Sequence, residues 1–171
     1  MKNLRQLTLI LIPIIIGFSA IHVNAANSNV PVIPADGVIQ PRVELNQGWN
    51  KETRQLFWFT SQGSRVIPYS WFTWLEQANS SNLFRNVDHM EMLRYLPMSS
   101  SAQNPAGLPI GFALDKDKSS GEAWVGLTCA ACHTNQINYQ GTRILIEGAP
   151  TLGNFVKFFD LLYNHQDLYQ D

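Results

Sequence analysis

Thr128-Cys129-Ala130-Ala131-Cys132-His133-Thr134 is the stretch on which the reading of this chain turns. Two cysteines separated by two residues, with a histidine directly after, form C-x-x-C-H, the spacing of c-type haem attachment. Each thiol can add to one vinyl group of a haem, and a single backbone turn spans the two vinyl positions. His133 then directs an imidazole nitrogen at the iron. The same residues admit rival readings. A thioredoxin-like redox pair needs a βαβ setting that the flanks do not supply. Zinc would find only three ligands, because no second C-x-x-C exists. A disulfide over so short a loop is strained. The expectation is one covalent haem c, held by Cys129 and Cys132 and ligated by His133.

Downstream of the motif, Ile137–Glu147 alternates around Gln140-Gly141, which predicts a small hairpin. Thr151 is placed to cap a last helix carrying Leu152, Phe155, Val156, Phe159 and Leu162. Upstream, residues 97–122 are rich in Pro, Gly, Ser and Asp and read as a long loop. Helices are predicted over 51–60, from an N-cap at Ser70 through Ala78, and over 84–96. The aromatic residues Phe57, Trp58, Trp71, Phe72 and Trp74 read as core. The fold class expected is mainly α: a cytochrome c-like helical haem domain with a small β-hairpin, incomplete.

The first 25 residues read as a secretory signal. Lys2 and Arg5 precede the apolar run Leu7–Phe18, and Val23-Asn24-Ala25 offers a cleavage site near Ala25. An uncleaved anchor is the alternative. Residues 26–46 form a flexible spacer with Pro31, Pro34 and Pro41, and residues 47–171 are the haem domain. The formal net charge is −1, and losing Lys2 and Arg5 takes it to −3. Neither value suits a nucleic-acid partner. No later segment approaches the roughly 18 apolar residues of a spanning helix. The localisation expected is periplasmic or secreted, with no stable membrane span after signal removal.

The sixth iron ligand stays open between Met90, Met92, Met98, His89, His165 and an empty position. Arg65 and Arg143 are possible partners for haem propionates, or simply solvated cations.

The motif with Gln136-Ile137 and Tyr139-Gln140-Gly141 resembles the first haem site of bacterial di-haem cytochrome c peroxidases and the related rubber oxygenases. Gln62-Gly63-Ser64-Arg65, Ile67-Pro68-Tyr69, Trp71-Phe72, Asn104-Pro105, Gly107-Leu108-Pro109 and Gly111-Phe112 fit the rubber-oxygenase-like members. The resemblance spans about residues 50–165. It implies a mostly helical fold with two haem domains, Cys129 and Cys132 as thioether ligands, and His133 as proximal ligand. It further implies haem redox chemistry with a redox partner protein or a small oxidant, peroxide or oxygen. The chain departs from the family in carrying one C-x-x-C-H and ending at Asp171, which reads as truncation. Peroxidase- or oxygenase-like catalysis is expected of a full di-haem chain and not of this one alone. A free-standing mono-haem electron carrier and a non-functional truncated remnant are the alternatives.

Overall fold

The structure is a computed structural model that describes residues 37–166, with side chains through residue 163. The segment read as a secretory signal, residues 26–36 of the expected spacer and the side chain of His165 lie outside the described residues.

Elements form in the order β1 (Val43–Glu44), α1 (Lys51–Phe59), β2 (Ile67–Pro68), α2 (Tyr69–Trp74), α3 (Val87–Met92), β3 (Phe112–Lys116), β4 (Ala123–Leu127), a 3-10 turn (Cys129–Ala131), β5 (Thr134–Tyr139), β6 (Thr142–Glu147) and α4 (Phe155–Gln166). The strands make two three-stranded sheets, ordered β1-β6-β5 and β2-β4-β3. In the first, β5 and β6 pair antiparallel from Thr134↔Glu147 to Tyr139↔Thr142. Gln140 and Gly141 both have positive φ, 47° and 76°. That is the two-residue turn whose twist matches a hairpin. β1 adds in parallel to β6. In the second sheet, β3 and β4 pair antiparallel, with β2 on the other edge of β4.

The mainly α expectation is therefore wrong: the described residues form a mixed α/β fold with four short helices and two sheets. The loop read over 97–122 contains β3, and β4 follows it directly before the motif. Gly111, Asp117 and Gly121 punctuate this region so closely that each strand is only five residues long, too short to display a period.

Helix lengths also fall short. α1 forms as read, with the Asn50 side chain capping Thr53 N–H. The predicted 84–96 helix stops at Met92, because Arg94 takes φ 66°. Tyr95 N–H then bonds Met90 O and Arg94 N–H bonds Glu91 O, a Schellman stop in which arginine occupies the usual glycine position. α2 follows Pro68 rather than a Ser70 cap and ends at Trp74. The last helix begins at Phe155, and Asn154 rather than Thr151 accepts the capping bond, from Lys157 N–H.

Two apolar cores result. The larger packs Ile67, Phe72, Phe84, Met90, Leu93, Tyr95, Phe112, Val125, Phe158 and Leu162 between the β2-β4-β3 sheet and α2, α3 and α4. The smaller joins Trp58 and Phe59 of α1 to Ile110, Ala130 and Leu145. Of the aromatic residues read as core, Trp58 and Phe72 are buried, whereas Trp71 and Trp74 are exposed.

Candidate functional site

The motif occupies the corner where β4 leaves one sheet and β5 enters the other. Thr128 starts the turn. Its N–H donates to Gly111 O at 2.8 Å. Its hydroxyl donates to Trp58 O and accepts from Ala130 N–H, both at 3.2 Å. Cys132 N–H and His133 N–H then both donate to Cys129 O, at 3.1 and 2.9 Å. This winding turns Ala130 and Ala131 into the protein, where they are buried, and leaves Cys129, Cys132 and His133 exposed together. Both cysteines are free thiols. Gln62 accepts a hydrogen bond from Cys129 Sγ at 3.2 Å.

Close packing fixes the turn from two sides. A Cβ at Gly111 would fall inside the backbone of Ala131, so only glycine lets the chain approach there. The segment after β6 returns across the other side. Gly148 N–H donates to His133 O at 2.7 Å and Thr151 N–H to Cys132 O at 3.0 Å. A buried ion pair holds the hairpin root to α1: Arg54 Nη1 lies 2.5 Å from Glu147 Oε2, with Glu44 at 3.5 Å from Arg54 Nε. Tyr95 reaches the motif from the large core. Its hydroxyl is buried without a hydrogen-bond partner. Burial first, then the Cys132 sulfur, pushes its pKa up to about 12.

The exposed donor set fits a haem. A porphyrin brings four nitrogen ligands of its own and asks of the chain two accessible thiols and one imidazole. Among the described residues, no group of three or more His, Cys, Asp or Glu side chains is arranged to hold a bare metal ion.

The sixth-ligand candidates separate by burial. Met90 is fully buried in the large core. His89 is buried edge-on to Phe84, with Nδ1 2.6 Å from Phe84 O. Met98 packs against the small core. Met92 is exposed and lines a cleft of about 600 Å³ with Arg94 and residues 152–156.

Arg65 is taken by Asp115 at 2.5 Å and Asp117 at 2.6 Å on the β2-β4-β3 sheet. Those two hydrogen-bonded carboxylates raise its pKa, Asp115 most. Arg143 instead faces a cleft of about 450 Å³ bounded by Tyr95, Leu152 and the outer face of the hairpin. Arg42, Glu91 and Arg94 line the same cleft. Sequence reasoning missed these three. Arg42 lay in the segment read as a spacer, and a two-residue strand leaves no periodic signal.

The uncharacterized protein y4iJ of Sinorhizobium fredii is 29% identical over an alignment of 170 positions, which covers 85% of this chain and 28% of that protein. The chain thus spans less than a third of the length of this curated relative. No protein-family model matches the chain. No solved structure matches it significantly. Among the described residues, no helix is long and apolar enough to cross a membrane.

Proposed function

We propose that this chain is an exported haem protein of the c type, with one haem attached through Cys129 and Cys132 and ligated by His133. The observation that carries the reading is the two-faced turn. Its alanines are buried while Cys129, Cys132 and His133 are all exposed. Attachment is an addition. Each S–H adds across one vinyl group, sulfur to one carbon and hydrogen to the other, and nothing leaves. Residues 148–151 hold the carbonyls of Cys132 and His133, so the imidazole is presented from a clamped backbone. The group, when bound, supplies one-electron chemistry at iron, tuned by axial ligation and local polarity.

The function that follows is electron transfer or haem redox chemistry with a redox partner protein or a small oxidant. We carry the resemblance to the first haem region of di-haem peroxidases and rubber oxygenases on the motif and its flanking sequence alone, because the mixed fold departs from the helical one that resemblance implies. The matched region makes up 28% of y4iJ. The matched sequence lies there within a longer chain.

The test is the mass of the mature protein after expression with c-type maturation machinery. One haem above the polypeptide mass is expected, and a mass equal to the polypeptide alone rejects the reading. Cys132→Ser abolishes double attachment, and a haem-stained gel of unchanged intensity would remove that residue from the site.

A further inference from the structure

The cleft beside the motif carries an unusual charge balance. Three guanidiniums, Arg42, Arg94 and Arg143, meet a single carboxylate, Glu91. Glu91 Oε1 accepts from Arg143 at 2.7 Å and Arg42 at 3.3 Å. Among the described residues, Arg94 has no ion-pair partner. Two positive charges are therefore left over, in a chain whose net charge is slightly negative. Arg42 is nearly buried, and its remaining bonds go to Pro97 O and Gln136. Burial lowers its pKa, and the nearby Arg143 charge lowers it further against the pull of Glu91.

Arg94 adds an independent sign. It occupies the left-handed position of the α3 stop at φ 66°. Glycine is usual there, because a Cβ is disfavoured at positive φ. This long cation lines both clefts. The cleft also has a direction. Asn135 to Asn138, the residues that follow the motif along β5, line it together with Tyr95. Arg143 pairs with Asn138 on the hairpin, four residues along β5 from Thr134, or about 13 Å. Tyr95, Leu96, Ile137 and Leu152 supply apolar wall between.

We infer that this cleft receives the two carboxylate arms of the haem, with Arg94 and Arg143 as their partners and Arg42 fixing Glu91 and the hairpin behind them. The inference rests on the proposed haem reading and names the residues that orient the ring once it is attached. Two carboxylates match the two uncompensated charges, and guanidinium forks suit carboxylates in paired hydrogen bonds. A free anion would satisfy the same chemistry, so the experiment must separate the two sources.

The test uses matured holoprotein and the resonance Raman bending bands of the haem propionates, which respond to hydrogen bonding at those carboxylates. Arg143→Gln and Arg94→Asn, the latter chosen because asparagine tolerates positive φ, are expected to keep covalent haem but shift those bands. Arg143→Lys should retain most of the wild-type pattern, and Arg65→Gln should leave it unchanged. The midpoint potential at fixed pH should fall in both neutral variants and rise in Glu91→Gln, which keeps the arginines and removes their competitor. Propionate bands unchanged in Arg143→Gln and Arg94→Asn, with haem attached, overturn the inference while sparing the haem reading. Wild-type protein without haem overturns both. Inorganic phosphate that shifts the wild-type potential as far as Arg143→Gln does would assign the cleft to free anions and reject the inference.

Discussion

The two cores do different work. The larger is an aromatic interlock: Phe112 and Phe158 centroids lie 5.6 Å apart, Tyr95 and Phe112 4.9 Å, and Phe84 and Phe158 5.6 Å. It ties α3 and α4 to the β2-β4-β3 sheet and contains none of the motif's own residues. The smaller core is built around the site. Ala130 is part of it, and Trp58 receives the Thr128 hydroxyl at its carbonyl. One region gives the chain a fold, and the other gives the turn a fixed position. Damage to the first should unfold the protein, whereas damage to the second should misplace thiols in a protein that still folds.

Phe158→Ala strikes the first region hardest. Its ring is buried among at least four aromatic neighbours, and truncation should cost about 3–5 kcal/mol. Chemical denaturation is expected to show global loss of stability by every probe.

Glu147→Ala tests the seam between the regions. It leaves the buried Arg54 with the longer Glu44 contact as its ion pair and the Leu45 carbonyl as a hydrogen-bond acceptor, and about 3 kcal/mol should be lost. A change under about 0.5 kcal/mol would show that Glu44 replaces the lost carboxylate fully.

Gly111→Ala separates the regions most cleanly. The new methyl collides with the Ala131 backbone and must accept φ 86°, for about 1–3 kcal/mol. Far-UV circular dichroism should be retained, while the alkylation rates of Cys129 and Cys132 change. Unaltered rates would mean that the turn is held without this close approach.

Tyr95→Phe is the smallest perturbation. The hydroxyl it removes is buried and unbonded, so stability near neutral pH should change by less than about 1 kcal/mol. The folded state favours the neutral phenol. Wild-type stability from this group is therefore full below about pH 10 and declines as pH rises towards about 12. The Phe variant should lack that alkaline decline. Once Cys132 is a thioether it cannot ionise, so its share of the shift should disappear in loaded protein.

What the sequence displayed follows the range of the interactions. The attachment motif spans five residues and needs no partner to be recognised. Gln140-Gly141 announced the hairpin for the same reason, because its turn chemistry is local. β3 and β4 escaped notice because Phe112–Lys116 and Ala123–Leu127 owe their strand character to pairing with each other across an intervening Asp117–Glu122 turn. The arginine cleft was out of reach altogether. Arg42 and Glu91 are 49 positions apart, and Glu91 and Arg143 are 52 apart. The helix expected over 84–96 is too long because the stop after Met92 is made by Arg94 at φ 66°, a position that arginine rarely fills.

The parallel pairing of β1 with β6 has a kinetic consequence. Gln47 exchanges hydrogen bonds with the Glu147 backbone across 100 positions, and Val43 sits in register with Ile144. During synthesis the strand made first must wait until the hairpin has emerged before it has anything to join. Contacts of such separation slow folding. Until that late docking, Arg42 cannot take its place beside Glu91, so the charged wall of the cleft is among the last features of the protein to assemble.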